Sequence, residues 1–193
     1  MAAYRGRSTR TLDGMSRFAA LLTCLAFPLA SAAADSCDAL VPPNLQSILL
    51  SRFSEYRLPR ESDNLNEDVR YARGRGGSGC LGVETGDFDG RGRLSYIVAM
   101  TARTGDGAVV LVAIPRGHTW AIHTLDVLKT GRSRLYVSSM PAGSYDDVGD
   151  GPEAGAEEHL ACPHPLALFG TTEASGVAYC FLNGKWKHVW VSD

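Results

Sequence analysis

The sequence predicts an α+β, β-rich domain: one N-terminal helix packed on a curled, mainly antiparallel sheet of about eight strands. Three observations carry that prediction. One stripe of apolar residues at spacings of three and four lies early in the chain. From Cys80 onward the pattern changes to short apolar or alternating runs bounded by Gly, Pro, Asn and Asp. No helical pattern separates those runs, so consecutive strands are expected to pair antiparallel.

The helix is expected over Asn44 to Tyr56, opened by Pro42-Pro43 and closed before Pro59. Leu45, Ile48, Leu49 and Phe53 form its stripe. Proline is tolerated in a first turn because the N–H it lacks has no intrahelical partner there. Arg60 to Gly79 shows no period and ends in Arg73-Gly74-Arg75-Gly76-Gly77-Ser78-Gly79; it reads as a long loop tethered by Cys80.

The strand candidates follow in order. Leu81 to Glu84 is short. Tyr96 to Thr101 and Ala108 to Ile114 flank Gly105-Asp106-Gly107 and read as a central hairpin. Trp120 to Leu125 alternates. Leu135 to Ser139, Leu166 to Phe169 and Val177 to Leu182 come next. Asn183-Gly184 is a two-residue hairpin turn into Lys185 to Val191. Met140 to Glu158, rich in Gly, Pro and acid, reads as a long loop.

The first residues read as a secretory signal over 1–34, with a single globular domain over 35–193. Arg5, Arg7, Arg10 and Arg17 precede the uncharged run Phe18 to Ala30, and Ser31-Ala32-Ala33-Ala34 follow. That basic, apolar, small-residue order is expected to be cleaved before Asp35. The apolar run is shorter than the ~20 residues a spanning helix needs, and Pro28 interrupts it. A periplasmic or extracellular protein with no membrane span after cleavage is the expectation. From Asp35 onward 15 basic residues face 20 acidic ones, a net charge of −5. Nucleic-acid binding, which wants a basic footprint, is not expected. Four cysteines remain after the signal, Cys37, Cys80, Cys162 and Cys180. An even count in an exported chain reads as two disulfides. Three pairings are open; Cys37–Cys80 with Cys162–Cys180 is favoured because each joins sequence neighbours.

Asp87-Phe88-Asp89-Gly90-Arg91-Gly92-Arg93-Leu94-Ser95 lies between two predicted strands. It resembles the Asp-x-Asp-Gly-Asp-Gly-x-x-Asp calcium loops of FG-GAP and VCBS-type repeats, in the reduced form Asp-x-Asp-Gly-x-Gly. The resemblance implies Asp87 and Asp89 as metal ligands, since calcium takes six to eight oxygens from closely spaced carboxylates. The third family carboxylate position holds Arg91 and the last holds Ser95. The expectation is therefore an ordered turn and no cofactor, with calcium the alternative. An Arg91 guanidinium on Asp87 or Asp89 would replace the ion. This loop, the Cys37-Asp38-Ala39-Leu40 start and the Trp186 to Asp193 end are similar to a group of small exported bacterial proteins of unknown function.

Other constellations are weaker. His159, Cys162 and His164 stand close enough for a metal, but Cys162 has a disulfide partner to hand. Trp120, Trp186 and Trp190 suit a sugar-binding face or, more commonly, a core. No Gly-x-Ser-x-Gly elbow is present. The function expected is a protein- or ligand-binding module of the cell envelope, of the inhibitor or immunity type, with a protein or glycan partner. A hydrolase with an unrecognised site and a structural envelope protein are the alternatives.

Overall fold

The computed structural model describes Asp35, residues 37–149, 156–174 and 176–192. The expected signal segment lies outside the described residues. Among the described residues the fold is mainly β, with eleven strands in antiparallel pairs and two α-helices.

Helix α1 spans Pro43–Arg52. It stops one turn earlier than the apolar stripe suggests. The chain turns at Phe53, and Tyr56–Arg57 becomes strand β1 by pairing with Thr101 and Ala102. Backbone hydrogen bonds to a sheet displaced the last helical turn. A second helix, α2, spans Asn66–Gly74, where the sequence reads as a structureless loop. Only Val69 of α2 is buried, so it has no stripe to read. Its polar signal is one of charge: Glu67 and Asp68 lie in the first turn and Arg73 in the last, as the helix dipole favours.

One curled sheet of about eight strands was expected; the strands instead form three separate sheets. The first holds β1, β2 (Val83–Gly86), β3 (Ser95–Ala102), β4 (Ala108–Arg116) and β5 (Thr119–Leu128), with β1 and β2 both on the same central strand, β3. The second runs β11-β10-β9-β6, from Lys185–Ser192, Gly176–Leu182, Leu166–Thr171 and Leu135–Met140. The third is a ribbon of β7 (Gly143–Asp146) and β8 (His159–Cys162), part of which occupies the segment read as a long loop.

Burial explains why one sheet does not suffice. Every residue of Ala108 to Ile114 is buried, so both faces of β4 are covered. On one face Tyr96, Val98, Met100, Val109 and Leu111 pack with Leu45 and Leu49 of α1. On the other, Ile97, Val110, Val112 and Ile114 pack with Val137, Phe169 and Val177 of the second sheet. The second sheet's outer face buries Leu166, Ala178, Cys180 and Val189 against Leu160 and Cys162 of the ribbon. Side chains alternate across each strand, so each sheet serves two cores. The order from one side is α1, first sheet, second sheet, ribbon.

The tryptophans belong to these cores. Trp120 meets Tyr96 edge-on at 5.6 Å between ring centres. Trp186 packs with His123 and Phe181, and Trp190 packs on the inter-sheet core. Cys37 is bonded to Cys80, with Cα atoms 5.1 Å apart, and Cys162 to Cys180, 5.9 Å apart. No helix among the described residues is long and apolar enough to cross a membrane.

Candidate functional site

Strands β2 and β6 are edge strands of different sheets. A backbone bond joins their neighbourhoods, from the Val137 N–H to the Leu81 carbonyl at 2.8 Å. Beside this junction the chain leaves a cavity of about 550 Å³. That is within the size range of small-molecule sites. Its apolar wall includes Leu40, Ala72, Leu81, Val83, Val137 and Leu168. Gly77 to Cys80 closes one side. Gly79 has φ +89°, a left-handed conformation that favours glycine, and an added Cβ would strike the Arg73 side chain. The Cys37–Cys80 bond then ties this glycine-rich segment to the chain's start.

The polar groups of the groove come from α2, β2, β6 and the turn at Thr172. Asp68 of α2 accepts a hydrogen bond from the Thr172 hydroxyl at 3.1 Å. Glu84 of β2 accepts the Thr85 N–H through Oε1 at 2.7 Å. Tyr136 and Ser138 stand on β6. Burial pushes the Tyr136 phenol up from its ordinary range, so it stays a neutral hydroxyl. Tyr71 forms the rim and is 67% exposed. None of these residues falls in a motif; in the sequence Glu84 only ends the short strand candidate Leu81 to Glu84. Its carboxylate is turned to its own backbone neighbour.

The Asp87 to Ser95 loop is an ordered turn. Asp87 accepts the backbone N–H groups of Arg91 at 2.9 Å and Gly92 at 2.7 Å, one on each oxygen. Gly90 and Gly92 have φ +66° and +69°, which lets the chain wrap the carboxylate. The Asp89 side chain is fully buried. Its Oδ2 accepts from Arg93 and Arg116, each at 2.9 Å, and the Arg91 guanidinium lies 3.7 Å away. Asp89 Oδ1 has no hydrogen-bond partner among the described residues. Burial opposes the Asp89 charge, but the hydrogen bonds from Arg116 and Arg93 outweigh it and hold the carboxyl below the usual carboxylate range. The guanidinium contacts come chiefly from Arg93 and Arg116 rather than Arg91, and Arg116 lies beyond the motif at the end of β4.

The suspected His159, Cys162 and His164 group is divided. The His159 ring meets Asp146 at 2.7 Å at the surface. His164 is buried, with Nδ1 3.1 Å from the Pro165 carbonyl and Nε2 3.0 Å from the Phe181 carbonyl. It lies against the Cys162–Cys180 bond, whose sulfurs are committed to each other. Acidic residues of the 140–158 segment are used locally: Asp147 accepts the Trp190 N–H and Glu157 pairs with Lys187.

Compared with protein-family models, with curated proteins and with solved structures, the chain matches none.

Proposed function

We propose that this chain is an exported ligand-binding module of the cell envelope or exterior, and that the groove between β2 and β6 is its binding site. The groove itself carries the reading: an apolar, half-enclosed space of about 550 Å³ with a few polar groups converging on it. Such spaces are where small molecules bind most often. Its walls come from α2, two edge strands and a disulfide-anchored glycine segment, so the site is held from several sides. Export is supported by the basic, apolar, small-residue order of the first 34 residues and by the two disulfides, which persist in oxidising compartments. The Asp87 to Ser95 loop is, in this reading, a calcium-type turn in which Arg93 and Arg116 stand where an ion would.

A fragment screen by ligand-observed NMR tests the binding site. Hits should compete with one another and should be lost in Ala72→Trp, which fills the groove from α2. Hits that bind independently of one another and survive Ala72→Trp would sink the assignment.

A further inference from the structure

We propose that the groove binds a small organic cation, an amine or quaternary ammonium carried on an aryl or short alkyl body. This rests on the reading of the groove as a ligand site and adds the chemistry of its ligand.

The charge of the lining is one-sided. Asp68 and Glu84 are its ionisable carboxylates, and among the described residues no Lys, Arg or His side chain lines it. Neither carboxylate has an ion-pair partner among the described residues; Asp68 meets the Thr172 hydroxyl and Glu84 the Thr85 N–H. Both are half-buried, beside the apolar side chains of Val83, Leu168 and Ala72. A carboxylate in that setting attracts a cation more strongly than one in open water, because less solvent screens it. Nearby arginines are directed elsewhere. Arg73 pairs with Glu61, and Arg134 with Glu173. Arg75 lies over the Tyr71 ring, 5.7 Å from its centre, with its Nη1 3.0 Å from the Tyr71 hydroxyl.

The edge of β2 favours a small molecule over an added peptide strand. The Ala99 N–H donates to the Gly82 carbonyl, so Gly82, Glu84 and Gly86 direct their backbone groups toward β3. Val83 and Thr85 then face outward, as the Leu81 carbonyl does in accepting from Val137. The outward Thr85 N–H is already taken by the Glu84 carboxylate. A charged side chain closing an edge donor is how edge strands resist pairing. The second carboxylate oxygen of Glu84 is left for a ligand.

The test is isothermal titration with 4-phenylbutylamine, 4-phenylbutan-1-ol and 4-phenylbutyrate, which share a body and differ in charge. The full chain with both disulfides intact is used. The amine should bind about tenfold tighter than the alcohol, and the acid weakest. Asp68→Asn and Glu84→Gln keep the local hydrogen bonds and remove the charge. Each should cut the amine's advantage several-fold, and in the double variant the amine and the alcohol should bind alike. In the unaltered protein, added salt should weaken the amine and spare the alcohol. Equal binding of amine and alcohol overturns the cation proposal and leaves the groove standing. No binding by any of the three, together with a failed fragment screen, overturns the groove reading itself.

Discussion

Arg116 Nη1 lies 2.9 Å from Asp89 Oδ2, joining the end of β4 to the loop between β2 and β3 across 27 residues of sequence. Arg93 reaches the same oxygen from within the loop, also at 2.9 Å. One fully buried carboxylate is thus held by two guanidiniums that are each about one-third exposed. Removing one partner leaves the other in place. Arg93→Ala or Arg116→Ala should each cost about 1–2 kcal/mol in urea unfolding. The double variant should cost more than the sum, because Asp89 is then buried without a hydrogen-bonded counter-charge. Simple additivity would show that the two arginines act independently of Asp89.

Acid should destabilise the fold through Asp89 and Asp63. Burial opposes the charge of Asp63 too, but hydrogen bonds from Arg57, the Arg60 N–H and Thr101 outweigh it and hold its carboxyl low. A carboxyl lowered in the fold takes up its proton more readily when unfolded. Its stabilisation is fully present above the unfolded value of about 3.9 and is lost as the pH falls through the folded value. The urea midpoint should therefore drop below about pH 4. In Asp63→Asn and Asp89→Asn that drop should be shallower; an unchanged slope in both would refute the assignment.

Calcium should leave the melting temperature unchanged. Both Asp87 oxygens accept backbone N–H groups, and Asp89 Oδ2 accepts two guanidiniums. Only Asp89 Oδ1 is left among these four oxygens, whereas calcium requires six to eight. A ligand stabilises only above its dissociation constant, so about 1 mM calcium should give no shift. A clear rise that disappears in Asp87→Ala would mean that the loop opens to take the ion.

The two disulfides should separate by function. Cys37–Cys80 closes 43 residues and anchors the groove wall at Cys80; Cys162–Cys180 closes 18 and lies under the ribbon. Replacing either pair by alanine should cost about 2–4 kcal/mol, the longer loop at the upper end. Loss of the Cys37–Cys80 bond should also weaken 4-phenylbutylamine binding, while loss of Cys162–Cys180 should not. Equal weakening by both replacements would indicate a general loosening rather than a local one.

Much of the β architecture was legible because burial leaves a period in the chain. The continuous apolar run of Ala108 to Ile114 announces a strand covered on both faces, and the Trp186, His188, Trp190 alternation announces one that divides two environments. Four cysteines in a chain that reads as exported announced the disulfides. The closely spaced Asp and Gly residues announced an ordered turn at Asp87. Helix α2 was not legible, since with Val69 alone buried it carries no stripe, and its stability comes from charge placement and packing.

The sequence by itself determined which residues are inside and where the chain turns, because those properties depend on neighbours a few positions away. Tertiary structure alone decided that the strands stack as separate sheets and that β2 and β6 meet at their edges. The groove follows from that meeting. Asp68 and Thr172 bond across 104 positions, and Glu84 faces the same space from a third segment. Periodicity records the face a side chain turns to, but it holds no record of which distant edge lies opposite. Arg116 shows the same limit: the Asp-rich turn is visible in nine residues, while the cation that completes it arrives from the end of another strand.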